Sequence, residues 1–382
     1  MESVKGFKDF TGAEALKRQE VREIIIKNFR LFGFEPAETP LIEFEEFVKG
    51  ENLGDEAISD IFKLKDKGQR ELALRYEFTF QLKRIASNKK LPYKRYQIGE
   101  VFRDEPVSAN RLRQFTQADV DVVGSSVKDE AEILALTAKI LNELEIKFVI
   151  NVNNRKLMNE ILDSEGIKQK KEVIKEIDKL DKLTEQEVRK NLKKYNADKV
   201  LAIFKKPEKY FEKFEFYKEI KELKKACALY NVKINFQPSL ARGLSYYNGS
   251  VFEIKTAEMK ETIIGGGSYL VNEIQSTGIS FGIERISQIA KVDVKEERVL
   301  IISIGEDKKA VKLAENMREK GIPCMIMYGK ISKALEFANS YGIENVIFLG
   351  SEEVKKKKIK LRNMKTGKEE MVSENDIVKR FI

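Results

Sequence analysis

The hydrophobic pattern of this 382-residue chain changes character near residue 296, and that change constrains the fold more than any other feature. Beyond it, apolar runs alternate with amphipathic stretches: "RVLIISIG", "DKKAVKLAENMREKG", "PCMIMY", "ISKALEFANSYG", "NVIFLG", then "KKKIKLRNM" and a final helix. Strands that alternate with helical segments predict a compact α/β domain with parallel strand pairs over 296–382. Before it, strand-like segments follow one another through short polar turns, as in "DIFKLKDKGQRELALRY" with Lys67-Gly68 at the turn, and in "YKRYQIGEVFRDE" followed by "RQFTQADVDVVG". Strands joined so briefly pair antiparallel. Leu16, Val21, Ile24, Ile25 and Phe29 recur at helical spacing up to a stop at Gly33, a strand is expected through "EPAETPLIEF", and a second helix spans 127–145.

Residues 155–232 differ again, being lysine-rich and helical ("KQKKEVIKEIDKLDKLTEQEVRKNLKKY") without any chemical constellation, and read as an insertion. Sheet then returns in "KINFQPSLARGLSYYNGSVFEIK", "IIGGGSYLV" and "STGISFGIERISQIA". The expected architecture is α+β: an antiparallel sheet flanked by helices from 1–154 and 233–295, a helical insertion at 155–232, and a C-terminal α/β domain at 296–382.

Composition removes whole classes of chemistry. The chain contains no histidine, which excludes imidazole general bases, Ser-His and Cys-His nucleophile pairs, and histidine-ligated metals. Its 71 basic residues outnumber 62 acidic ones, giving a net charge of +9 that favours a polyanionic partner. Cys227 and Cys324 stand in no metal or redox spacing and suit a reducing compartment. No run approaches the roughly 18 apolar residues of a membrane span, and the N-terminal stretch lacks an apolar signal core. A cytoplasmic protein with no membrane partner is expected.

Two segments concentrate groups able to hold a nucleotide. In "VFRDEPVSANRLRQFTQADVDV", Arg103 and Glu105 fall on one strand face, and Arg111, Phe115 and Asp119 recur at intervals of four on the returning segment. Arginine can meet phosphate, the ring can stack on a base, and the carboxylate can accept from an exocyclic amine. A solvated hairpin with cross-strand ion pairs explains the same residues in isolation. In "GISFGIER", Gly278, Ser280 and Gly282 alternate along an apolar strand that ends in Arg285, leaving room for a flat group against the backbone; tight strand–helix packing is the alternative.

Taken together and in order, these stretches resemble motifs 2 and 3 of the class II aminoacyl-tRNA synthetases, and "FGFEPAETPLIEF" resembles motif 1, with Pro40 at the position associated with a homodimer interface. "LARGLSYYNGSVFEI" resembles the R-G-L-D-Y-Y signature of the histidyl-tRNA synthetases, and "LALRYEFTFQLKR" a second segment of that family, in its archaeal form; the likeness covers nearly the whole chain. It implies that histidine is activated with ATP and transferred to tRNA(His), with a C-terminal anticodon-binding domain. Arg103 and Arg242 are then the catalytic pair at the α-phosphate. Phe115 and Arg285 sandwich adenine, Glu105 faces its amine, and Arg111 or Arg113 meets the outer phosphates, which Mg2+ accompanies. Glu77 and Thr79 match the groups that hold the histidine α-amino end, with Gln117 near the carboxylate. Asp121 and Tyr247 match those reaching the ring, with Tyr246 and Tyr269 lining the pocket. The chain departs from the family at Ser245, Ser268 and Leu270, where aspartate, arginine and aspartate are usual, and at Asp121, where a glutamate one methylene longer is usual. Two alternatives remain: a catalytically silent paralogue acting as a regulatory subunit in histidine biosynthesis, and a class II synthetase for another amino acid, against which the R-G-L-x-Y-Y segment argues.

Overall fold

The computed structural model describes residues 2–49, 59–242, 246–293, 298–356 and 358–381. They form two compact units, Met1–Val292 and Asp293–Ile382. Strands of the first unit are β1 (Glu35–Pro36), β2 (Ile42–Phe44), β3 (Lys63–Lys65), β4 (Glu71–Leu74), β5 (Tyr93–Phe102), β6 (Gln114–Val123), β7 (Val149–Asn154), β8 (Asn235–Phe236), β9 (Tyr247–Lys255), β10 (Ile264–Val271) and β11 (Ile274–Gly282). Eight of them make one sheet in the order β1-β5-β6-β11-β10-β9-β7-β8, and β2-β4-β3 make a small one. The six central strands pair antiparallel, and the two-residue strands β1 and β8 add in parallel at the edges.

Alternation along β6 separates core from cavity. Ala118, Val120 and Val122 face helices Gly12–Leu31 and Val127–Glu143 and are fully buried, together with Val21, Ile25, Phe29, Leu134 and Ile140. Gln117, Asp119 and Asp121 project from the opposite face, because side chains of a strand alternate. The expected single strand through "EPAETPLIEF" is instead two, β1 and β2, in different sheets. Pro36 and Pro40 lack the N–H that a continuous ladder needs, so the chain crosses between sheets there. Residues 155–232 contribute to two cores. Helix Tyr217–Leu229 places Ile220, Leu223 and Cys227 in the main core, while Val173, Ile177, Val188 and Leu192 form a smaller cluster with Met158 and Leu162.

The second unit is a five-stranded sheet of β12 (Val299–Ile304), β13 (Cys324–Tyr328), β14 (Asn345–Gly350), β15 (Lys358–Asn363) and β16 (Glu369–Ser373), ordered β13-β12-β14-β15-β16. β12 pairs parallel with both neighbours, and β15 and β16 pair antiparallel. Val299 and Ile301 face one apolar layer and Leu300 and Ile302 the other, as a strand covered on both faces requires. Among the described residues no helix is long and apolar enough to cross a membrane.

Phe29 ties the first helix to the sheet, with ring centroids 5.4 Å from Tyr96 and 5.6 Å from Phe281. Phe29→Ala should destabilise the first unit by about 3–5 kcal/mol; a denaturant melt displaced by less than about 1 kcal/mol would contradict this account of the core.

Candidate functional site

A cavity of about 770 Å³ lies on the face of the main sheet opposite the core residues of β6. β6 carries Phe115, Gln117, Asp119 and Asp121 along it, and β11 sets Gly278, Ser280 and Gly282 beside them. Arg103 and Glu105 lie just past the end of β5, which stops at Phe102, so they belong to the loop rather than to one strand face; Arg111 lies on the same loop. Glu77 and Thr79 stand at the start of helix Thr79–Ala86, Tyr246 and Tyr247 at the start of β9, Tyr269 on β10, and Arg285 in helix Ile283–Ile289. All of these line the cavity, as does Arg242.

Arg113 does not. Its Nε donates to the Glu105 carbonyl at 3.2 Å and its Nη2 pairs with Asp104 at 3.1 Å, which leaves Arg111 as the loop arginine facing inward. Ser268 is also off the cavity: its hydroxyl donates to the buried carboxylate of Glu130. Leu270 is exposed, and Ser245 lies outside the described residues. Of the departures from the family pattern, Ser268 and Leu270 therefore do not touch the cavity, whereas Asp121 does.

Arg103 and Arg285 are held by neutral oxygens and rings, Arg111 and Arg242 by carboxylates. Arg103 Nη2 donates to Gln117 Oε1 at 3.2 Å, and its guanidinium lies over Tyr76 and Phe115, 4.4 and 5.1 Å from the ring centroids. Burial pushes the Tyr76 phenol up to about 12. Arg285 donates to the carbonyls of Thr262 at 2.7 Å and Asn110 at 3.2 Å, an arrangement that fixes the guanidinium plane without neutralising it. Arg111 pairs with Glu105 at 2.9 Å.

Arg242 lies against the backbone of Gly265. A Cβ at that glycine would stand 2.2 Å from Arg242 Nη1, so only a glycine leaves room for the guanidinium. Glu253, opposite Gly265 on β9, approaches it at 3.8 Å. Asp178 faces the same group, its carboxyl pushed up to about 6 by burial and held down by Arg242.

The closed end is acidic. Asp121 pairs with the fully buried Arg95 at 2.9 Å and accepts from the Tyr269 hydroxyl. Burial raises its pKa, with Arg95 opposing. Glu77 accepts from the Tyr246 hydroxyl at 3.3 Å, while its Oε1 is buried without a partner; burial raises this carboxyl too. Asp119 is pushed up to about 7, mainly by burial and then by Asp121 beside it.

Of these residues, Tyr76, Arg95, Asp178 and Glu253 carry no signal singled out in the sequence, and Asp119 enters there only as part of a hairpin face. Period two counted inward from Gln117 reaches Asp119, and Arg95 follows once register sets it opposite Asp121. Asp178 and Glu253 had no such signal. Among the described residues no group of three His, Cys, Asp or Glu side chains is placed to hold a metal ion.

An antiparallel sheet with helices on one face and, on the other, a cavity where arginines from three distant segments converge defines the catalytic core of a class II aminoacyl-tRNA synthetase. Residues 6–286 match the histidyl-tRNA synthetase family model, and 298–382 match the anticodon binding domain. The chain belongs to the histidyl-tRNA synthetase family. Histidine--tRNA ligase 1 of Bacillus cereus is 32% identical, spanning 97% of this chain and 96% of that one. Histidine--tRNA ligase of Helicobacter pylori is 32% identical over 98% of both. Two solved structures share the fold: histidyl-tRNA synthetase from Nostoc, with a TM-score of 0.85 at 24% identity, covering 100% of this chain and 99% of that one; and a protein from Bacillus halodurans described as an ATP phosphoribosyltransferase regulatory subunit/histidyl-tRNA synthetase, with a TM-score of 0.77 at 20% identity, covering 91% and 97%.

The raised acid at the cavity floor has a consequence for stability. Asp119 holds its proton up to about 7 in the folded chain against an ordinary 3.8. The folded state then binds more protons than the unfolded state between those values, so this contribution is complete below about pH 4 and is lost as pH rises through 7. Asp119→Asn should remove that slope, gaining up to about 4 kcal/mol over wild type at pH 8 and nothing at pH 4. Parallel melting curves of the two proteins across this range would contradict the assignment.

Proposed function

We propose that the convergence of Arg103, Arg242 and Arg285 on one cavity serves histidine activation and tRNA charging, with the residue roles as follows. The histidine carboxylate oxygen attacks the α-phosphorus of ATP, and the bond to pyrophosphate breaks. No protein nucleophile takes part, so acceleration comes from holding the reactants in line and neutralising the charge on phosphate. Arg103 and Arg242 bracket the α-phosphate from opposite sides. Phe115 and Arg285 hold adenine, Glu105 accepts from its amine, and Arg111 meets the outer phosphates. Thr79 and Glu77 take the α-ammonium group, Gln117 lies beside the carboxylate, and Asp121, Tyr247, Tyr246 and Tyr269 enclose the ring. In the second step the terminal ribose hydroxyl of tRNA(His) attacks the carbonyl of the adenylate, releasing AMP. Mg2+ belongs with the β and γ phosphates; no side chain is assigned to it and no step runs through it.

Loop 106–110, at the cavity mouth, is proposed to meet the acceptor end of the tRNA, and the lysines at 355–360 the anticodon side, with affinity falling as salt rises. A homodimer is proposed through β2, whose Ile42 and Phe44 are exposed at 49% and 58% while Glu43 between them is buried. Leu41 and Leu64 extend that apolar face. Two free cysteines, one of them buried, fit a cytoplasmic location. The silent-paralogue alternative leaves the three convergent arginines without employment.

ATP–pyrophosphate exchange with each of the twenty amino acids tests the reading: histidine alone should support it, and exchange with none would favour the paralogue. Arg242→Ala should lower exchange by about 100- to 1,000-fold with little change in melting temperature. Gly265→Ala, whose added methyl displaces the same guanidinium by direct contact, should cost about 100-fold; near-normal exchange in Arg242→Ala would remove Arg242 from the reaction. Phe44→Glu should yield monomers by sedimentation, and an unchanged dimer would place the interface elsewhere.

A further inference from the structure

We propose that Asp119 is a second carboxylate for the α-ammonium group of the substrate, forming with Glu77 a two-acid cradle between the reacting carboxylate and the ring. This rests on the ligase reading above and adds a residue that reading does not use.

Position along β6 comes first. Gln117 touches Arg103 and so marks where carboxylate and α-phosphate meet. Asp119 projects from the same strand face two residues further in, a step of about 6–7 Å, and Asp121 one step beyond it. An α-amino acid carries its ammonium on the carbon next to the carboxylate and its ring one carbon further. With its carboxylate toward Gln117 and its ring toward Asp121 and Tyr247, a bound histidine holds its ammonium group between them, at the level of Asp119.

Charge supports the same placement. Asp121 has its counter-ion in Arg95. Asp119, only 7% exposed, has neutral hydrogen-bond partners: Gln117 Nε2 donates to its Oδ1 at 3.2 Å, and the Ser280 hydroxyl adds a further hydrogen bond; Arg95 and Arg75 act on it through their charge, but Arg95 is ion-paired to Asp121. Arg75, another guanidinium of this region, is directed at the carbonyls of Glu100 at 2.6 Å and Thr39 at 2.9 Å. Glu77, across the cavity, keeps one buried oxygen unpartnered. A buried carboxylate is stable as an ion only beside a cation, and two of them facing one space call for a cation with several donors. An ammonium group offers three. A neutral imidazole offers one donor, which Asp121 and the tyrosines already meet.

The test separates ammonium from ring. Histidinol keeps the ammonium and lacks the carboxylate; imidazolepropionate keeps ring and carboxylate and lacks the ammonium. Both are measured as competitors of histidine in ATP–pyrophosphate exchange by the full chain. Asp119→Asn should raise the KM for histidine and the inhibition constant of histidinol together by about 10- to 100-fold, with kcat nearly unchanged, because the contact exists equally before and during reaction. Imidazolepropionate should bind the variant within about twofold of wild type, since it has no group for Asp119 to hold. Parallel weakening of imidazolepropionate would assign Asp119 to the ring or to pocket shape and overturn the proposal, as would an unchanged KM for histidine. Should asparagine disturb the fold, Asp119→Ser, smaller and neutral, carries the same comparison. Absence of histidine-dependent exchange in the wild-type protein would instead defeat the ligase reading itself.

Discussion

One buried ion pair holds the floor of the cavity together. Arg95 is the largest fully buried side chain of the first unit, and a guanidinium taken out of water is costly unless a carboxylate meets it. Asp121 does so from the neighbouring strand, in register, at 2.9 Å. It can occupy that position only because β11 presents Gly278 there: a Cβ at 278 would stand 2.0 Å from Asp121 Oδ1. Tyr269 closes the arrangement from β10. A single charge pair thereby fixes β5, β6, β11 and β10 against one another at the level where the substrate ring is proposed to lie, and replacing either partner alone would leave the other charge unanswered in the sheet.

From that floor outward the cavity changes sign. Glu77, Asp119 and Asp121 lie toward the end where Arg95 is buried, whereas Arg103, Arg111, Arg242 and Arg285 line the part of the cavity proposed to take the nucleotide. An aminoacyl-adenylate has the same polarity, ammonium at one end and phosphate at the other, so orientation follows from electrostatics before any detailed contact is considered. The acidic side is carried largely by the alternation of one strand, since the residues of β6 that face the helices are apolar and the intervening Gln117, Asp119 and Asp121 face the cavity, while the arginines come from other segments.

That alternation explains how much was legible in the sequence. Residues whose role depends on local period, such as Phe115, Gln117 and Asp121 on β6 or Gly278, Ser280 and Gly282 on β11, fall where period two puts them. Arg103 and Glu105 were read on a strand face and instead follow its end, because a boundary is set by which backbone groups find partners, and Arg103 N–H bonds to the Arg113 carbonyl beyond the ladder. β7 escaped notice since Asn151, Asn153 and Asn154 interrupt its apolar pattern. They are buried nonetheless, with Asn153 donating to the carbonyls of Pro238 and Leu240, so polar side chains here do the work of connecting segments. Asp178 and Glu253 were illegible in principle: what matters about them is proximity to Arg242 across long stretches of chain, which no spacing encodes.

The absence of histidine sharpens what kind of catalyst this is. A family that handles imidazole as substrate has here no imidazole of its own, and the first step asks for none. The attacking group is already a carboxylate, the leaving group already an anion, and neither needs a proton moved by the protein. What the step needs is fixed positive charge in a shaped space, and guanidinium supplies it at any physiological pH. Glycine then matters as much as arginine. Gly265 contributes no side chain of its own, yet it determines where the guanidinium of Arg242 can rest, so the chemistry proposed for the site depends on a side chain that is missing.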